Sequence, residues 1–249
     1  MDYFLGIKFT HQRHSPNNVT IQLSQTAFID DLLTKTNLDG EGVNTPKSPY
    51  RSGYPIDNIP QQEYSPTEQH HITATYQFLI GSLNWLAIST RPDISTITNL
   101  LAKYMSDPSQ GHIYAARNVI RYLKGTRHHG ISFSTQQNLS LQSYIKFPID
   151  ETKFLSMTDA NWGPQDQSSK SHPTTQSQLD LFKTRSLSGY LLLFGGPVHW
   201  MSKRQTITAR STTEAEIYAT DECVKQLLHL HHFYRISISK ILSCPLQLL

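Results

Sequence analysis

Met157-Thr158-Asp159-Ala160-Asn161-Trp162-Gly163 reads as a strand that ends at a carboxylate. Glu216, 57 residues beyond Asp159, sits in Ser211-Thr212-Thr213-Glu214-Ala215-Glu216, which reads as the start of a helix. Ser211 and Glu214 stand three apart before an apolar run, the spacing of a capping box. Glu214 is therefore assigned to the cap, which leaves Glu216 as the candidate ligand. A strand-end Asp and a helix Glu can converge, because strand and helix pack face to face. Caging two divalent cations takes several carboxylates. After Glu222 come 27 residues without an Asp or Glu. By position alone two such acids read as ordinary surface charges; as metal ligands they would make only half of a divalent-metal site.

The remaining composition narrows the class. The chain has 249 residues, 37% apolar and 16% charged, with a net charge of +3. That length suits one large domain or two small ones. The weak positive balance permits nucleic-acid binding without arguing strongly for it, and twelve histidines raise the charge in mild acid. Cys223 and Cys244 form neither a disulfide framework nor a ligand spacing, which reads as two reduced thiols. The start Met1-Asp2-Tyr3 lacks a basic signal region, and no apolar run approaches the roughly 18 residues of a membrane span. A soluble intracellular protein is expected, with no membrane partner.

The expected fold class is α+β. Residues 3–10 and 18–23 read as a hairpin joined by His14-Ser15-Pro16-Asn17-Asn18. Ser24 is expected to cap a helix over 25–36 with Ala27, Phe28, Leu32 and Leu33 on its apolar face. Residues 39–68, rich in Pro and Gly, read as an extended linker. Helices are predicted over 72–89 (Tyr76, Leu79, Ile80, Leu83, Leu86), from Ile94 to about Met105, and over 111–124. Arg91-Pro92-Asp93 ends the first of these and Gly125 the last. Strands near 130–134 and 143–147 lead towards Asp159; 163–184 reads as a disordered loop; 186–195 and 198–204 form a second hairpin. A boundary near 150 divides a helical part from a hairpin-plus-helix part. In the last stretch Arg235-Ile236-Ser237-Ile238-Ser239-Lys240-Ile241 alternates like a strand.

Two cationic sets stand out. Arg117, Arg121, Lys124 and Arg127 follow spacings of four, three and three along one side of a helix and its exit. Lys203, Arg204 and Arg210 lie near the candidate acids. Both suit a phosphate backbone, and both equally describe ordinary wet surfaces. His229, His231 and His232 have no spaced Cys or His to close a metal site, so a helix end beside the C-terminal dipole is the expected reading.

Six ordered motifs carry a resemblance. They are Gly81-Ser82-Leu83-Asn84-Trp85-Leu86 with Thr90-Arg91-Pro92-Asp93-Ile94, Arg121-Tyr122-Leu123-Lys124-Gly125-Thr126, Thr158 to Gly163, Ser186-Leu187-Ser188-Gly189-Tyr190, Trp200-Met201-Ser202-Lys203-Arg204-Gln205, and Ser211 to Glu216. This order resembles the Pol polyprotein of copia-type LTR retrotransposons, most of all yeast Ty elements, over residues 1 to about 232. The resemblance implies that 1–36 end a reverse-transcriptase palm and start its thumb. It implies thumb and connection over 37–149, and over 150–232 the first part of an RNase H-like domain, three antiparallel strands plus the first helix. Residues 233–249 are then a non-homologous tail.

The resemblance also implies the chemistry. Asp159 and Glu216 take the places of Mg2+ ligands beside the scissile phosphate. The parental activity is two-metal hydrolysis of RNA in an RNA–DNA hybrid during copying of the element's RNA into DNA. The family's polymerase aspartates lie before the strand that opens this chain, and Asp30-Asp31 falls inside a helical pattern instead. The family's third RNase H aspartate has no counterpart in Ile236 to Leu249. The expectation is a catalytically inactive remnant, with magnesium bound weakly. A non-catalytic module that binds nucleic acid or an intact Pol, or an RNase H completed by a second chain, are the alternatives. The place implied is the cytoplasm, in a virus-like particle for the parental element, or the nucleus.

Overall fold

Leu5 and Gly6 both take positive φ, 50° and 77°. That conformation costs glycine nothing and a leucine about 1–2 kcal/mol. The reversal splits the strand expected over 3–10 into β1 (Tyr3–Phe4) and β2 (Ile7–Ser15), which pair antiparallel. These coordinates are a computed structural model that describes residues 3–15, 18–50, 56, 59, 63–134, 154–161 and 185–243, the last seven as backbone. The strand expected at 143–147, the loop at 163–184, and Trp162 and Gly163 lie outside the described residues.

β3 (Asn18–Ser24) closes the expected hairpin with β2, and β4 (Gly130–Ser134) pairs antiparallel with β3, giving a four-stranded sheet in the order β1-β2-β3-β4. Ser24 is thus the last residue of a strand, opposite Gly130, and does not cap the next helix. The N-cap of α1 (Thr26–Lys35) is Gln25, which makes no side-chain capping bond; its buried carboxamide accepts the Thr90 hydroxyl at 2.7 Å. Ile29, Leu32 and Leu33 form the buried face; Ala27, which the periodicity placed there, is exposed.

α2 (Pro66–Ser89) begins a turn and a half earlier than expected. Ser65 Oγ accepts the Glu68 N–H at 3.4 Å, and the Glu68 carboxylate accepts the Ser65 N–H at 3.0 Å. Pro66 fills the first helical position, where its missing N–H is harmless. A short 3-10 turn (Pro92–Ile94) follows, then α3 (Ser95–Ala102) and α4 (Gln110–Gly125). One apolar core runs through these helices from Ile29 to Leu123, with Tyr76, Leu83, Leu86, Leu101, Val119 and Ile120 almost wholly buried.

β5 (Leu155–Asn161), β6 (Leu187–Leu193) and β7 (Pro197–Arg204) form an antiparallel sheet in that order. α5 (Thr212–Ser243) crosses one face of it, where Tyr190, Leu192 and Cys223 are buried with Val198, Met201, Leu227 and Leu230 against them. The expected three strands plus helix are present. The expected strand over 235–241 is not: α5 continues through it. No Pro or Gly interrupts residues 212–243, so nothing stops propagation. Tyr234 anchors the far turns edge-on to Phe154 (5.8 Å) and Phe194 (5.1 Å), which stack on each other at 4.9 Å.

Candidate functional site

Thr158 faces α5. Its hydroxyl lies 3.3 Å from that of Thr220, and Thr220 Oγ1 donates to Glu216 O at 2.9 Å. The strand and helix expected to carry the two acids therefore do pack together. Glu216, half-buried, stands one turn before Thr220 on the side of α5 that overhangs β5. Strand side chains alternate between faces. Asp159 therefore leaves β5 on the face away from α5, together with Met157 and Asn161, and it is exposed.

That face looks into a cleft of about 590 Å³. Its walls include Pro92, Ser95 and Thr96 from the helical region, and Met157, Asp159, Gly189, Leu191 and Trp200 from the sheet. Gly189 is the cross-strand partner of Asp159, so no side chain stands between the carboxylate and the cleft on that strand. Among the described residues β5 pairs with β6 and with no other strand. Asp159 and Glu216 flank this edge strand from its two sides. No group of three or more His, Cys, Asp or Glu that could hold a metal ion stands together among the described residues. Magnesium prefers near-octahedral oxygen coordination, and these two carboxylates do not by themselves fit it.

Glu214 does cap α5. Its N–H is accepted by Ser211 Oγ at 3.1 Å, while its carboxylate accepts the N–H of Arg210 at 2.6 Å, one residue earlier than the box expects. Asp30 and Asp31 lie in α1 as expected, with Asp31 bound to Lys35 at 2.6 Å. His229, His231 and His232 are exposed in the interior of α5 and not at its end, which falls at Ser243.

The cations divide. Lys124 donates to the carbonyls of Asp39 (3.2 Å) and Gly40, tying the chain after α1 to α4. The Arg121 guanidinium lies 5.4 Å from the centre of the exposed Tyr114 ring. Arg127 is 3.8 Å from Asp30 and exposed, and Arg117 is half-buried. On β7, Lys203 lies on the α5 side, in a small groove with Tyr218 and Glu222. Arg204, the next residue, turns to the face that carries Asp159, in register with Leu187 and Asn161.

Sequence reasoning treated Arg91-Pro92-Asp93 as a helix stop and missed its chemistry. Arg91 is 1% exposed and grips Asp93 through Nε (2.9 Å) and Nη2 (2.7 Å). Its Nη1 donates to Thr126 O at 3.0 Å, its Nη2 to Thr126 Oγ1 at 2.7 Å, and Tyr122 donates to Asp93 Oδ2 at 2.8 Å. Burial alone would raise the Asp93 carboxyl; the Arg91 hydrogen bonds and charge, with the Tyr122 hydroxyl, outweigh it and hold the carboxyl below its ordinary value. Burial, then the Asp93 carboxylate, pushes the Tyr122 phenol up. Two of the six motifs thus meet in one structural tie. The signal was present: Arg91 and Asp93 are the only Lys, Arg, Asp or Glu between Glu68 and Lys103, and charges embedded in so apolar a stretch must pair.

No family model and no solved structure matches the chain. Curated relatives do. The chain is 34% identical over 219 residues to the Retrovirus-related Pol polyprotein from transposon RE1 of Arabidopsis thaliana, covering 87% of this chain and 12% of that polyprotein. It is 31% identical over 156 residues to the Secreted RxLR effector protein 161 of Plasmopara viticola, covering 62% of this chain and 90% of that protein. It is 25% identical over 232 residues to the Transposon Ty1-DR1 Gag-Pol polyprotein of Saccharomyces cerevisiae, covering 92% of this chain and 11% of that polyprotein. The expected emphasis on yeast elements gives way here, since the plant element is the more similar of the two. The chain spans about an eighth of the length of the plant polyprotein, and over some nine-tenths of its own length it is a homologue of the Pol polyproteins of copia/Ty1-type retrotransposons.

Proposed function

We propose that the chain is the reverse-transcriptase–RNase H part of such a Pol, and that alone it binds an RNA–DNA hybrid without cleaving it. The palm end and thumb fall in 1–36, thumb and connection in 37–149, and the first part of RNase H in 150–232. The observation that supports this most is the packing of the Asp159 strand, first of three antiparallel strands, against the helix that carries Glu216. Two carboxylates flanking an edge strand favour weak magnesium binding over a cage for two ions. Arg117, Arg121, Arg127, Lys203 and Arg204 are the cations assigned to phosphates. Lys124, held by backbone carbonyls, is assigned to structure first. The cytoplasm, within a virus-like particle, is the place that fits the parental element, with the nucleus as second.

The test is a hybrid-binding titration of the purified chain over a range of salt. Affinity that falls steeply with salt is expected, and undetectable or salt-independent binding would sink the binding half of the proposal. Incubation with Mg2+ is expected to leave the hybrid intact; cleavage lost in Asp159→Asn would replace the inactive reading with an active nuclease. One observation favours a second reading, completion by another chain: among the described residues β5 pairs on one side only, with β6, and such an edge can accept a further strand. Cleavage in a mixture with an intact Pol whose own RNase H acids have been neutralised would support it.

A further inference from the structure

We propose that Trp200 is a positioning residue: it seats the Asp159-bearing sheet on the helical region by capping the end of α2. The last carbonyls of a helix lack intrahelical donors. At the end of α2 the N–H groups of Thr90 (3.1 Å) and Arg91 (2.9 Å) both turn to Leu86 O. Arg91 N–H is the donor that a continuing helix would give to Ala87 O, and Pro92, next in the chain, has none. Ala87 is 2% exposed, so water does not reach that carbonyl. The Trp200 indole N–H, from β7, donates to it at 2.7 Å.

A second contact lies at the start of the same strand. Ser134 N–H, at the end of β4, donates to Gly195 O at 2.9 Å. Gly196 approaches β4 so closely that a Cβ there would fall 2.3 Å from Ser132 O. β7 is thus clamped to β4 at its turn and to α2 at Trp200. Trp200 belongs to the same face as Asp159, one pleat away: its row is Met157, Leu191, Trp200, and the Asp159 row is Asp159, Gly189, Ser202. The clamp therefore sets how far Asp159 stands from Ser95 and Thr96 across the cleft. This holds whether or not the chain binds a hybrid.

The test measures that spacing in the full chain. Spin labels are carried by non-canonical residues at two exposed sites, His71 on α2 and Val224 on α5, and read by pulsed dipolar spectroscopy. The native chain is expected to give one narrow distance. Trp200→Phe keeps an aromatic ring, smaller than the indole, and removes the N–H; it is expected to widen the distribution and shift it to longer distance while helical ellipticity is retained. A role in stability alone would lower the melting temperature and leave the distance of the folded molecules unmoved, and that result overturns the proposal. If Trp200→Phe loses its ellipticity, Gly196→Ala decides in the same measurement, with an unchanged distribution counting against the clamp.

Discussion

In the helical region one core extends from Ile29 in α1 to Leu123 in α4, and an arginine buried inside it is held by hydrogen bonds to Asp93 and Thr126. Beyond β5, among the described residues, a three-stranded sheet and one helix bury Tyr190, Leu192 and Cys223 between them. α5 still shows Ile217, Leu228 and Phe233 at about two-thirds exposure (65%, 64% and 66%). The difference separates two uses of charge. In the well-packed region the buried charge of Arg91 is paired and holds the fold. Asp159 and Glu216 lie in the thinly packed region, where an acid can remain exposed or half-buried. Residues that bind or react are commonly drawn from such low-stability parts.

The hardest blow to this comparison would come from Asp93→Ala. It leaves Arg91 buried without its carboxylate; stranding a buried charge costs up to about 3–5 kcal/mol, an upper bound here because the Asp93 side chain is 34% exposed. Urea unfolding followed by helical ellipticity at neutral pH measures it; a cost below about 1 kcal/mol, the range of surface pairs, would show that the tie is not structural. The pH dependence carries a sign. Because the folded-state carboxyl is lowered, its stabilisation is present above the ordinary carboxylate range and is lost as pH falls through the lowered value. The gap between native and Asp93→Ala proteins should therefore narrow on acidification.

A matched pair of truncations sharpens the same contrast. Leu83 and Leu192 are both 0% exposed, one in each core. Leu→Ala in a core costs about 2–5 kcal/mol, and the cost follows how far the surroundings fail to collapse. Leu83→Ala is expected near the top of that range and Leu192→Ala near the bottom, by denaturant midpoints read separately for the two regions. Equal costs would mean that the sheet region is as firmly built as the helices.

Tyr234→Ala comes next. Two ring pairs at about 0.5–1.5 kcal/mol each place its expected cost at roughly 1–3 kcal/mol, with loss of ellipticity from the far turns of α5. No effect would return residues beyond 232 to the status of an unpacked tail.

What the sequence made legible follows from the range of each interaction. Tyr76, Leu79, Ile80, Leu83 and Leu86 announce α2 because burial repeats with the helical period. Ser211 and Glu214 announce the start of α5 because capping is local. The same signal stood at Ser65 and Glu68, with Pro66 between them, but a stretch rich in turn residues hides a cap that opens a helix. The β3–β4 pairing has no local signature, since it joins residues about a hundred positions apart. Ile236-Ser237-Ile238 alternates over too few residues to separate strand from helix, and the intact helix before it decided. At the candidate site the two elements and their packing were legible. The side from which Asp159 leaves the strand was not; it depends on Thr158 taking the place against Thr220.

The smallest expected effect tests that last point. Two carboxylates aimed at one ion repel each other when no ion is bound, so neutralising one of them stabilises the fold. Here Asp159 is exposed on the face away from α5, while Glu216 overhangs the other side of β5. Asp159→Asn should then change stability by no more than about 0.5 kcal/mol, as for an ordinary surface substitution, and Glu216→Gln should not alter that value. A clear gain in melting temperature from Asp159→Asn, abolished when Glu216 is already Gln, would place the two charges together. The alternation argument would then fail, and these two acids would form a poised metal site in the least packed part of the chain.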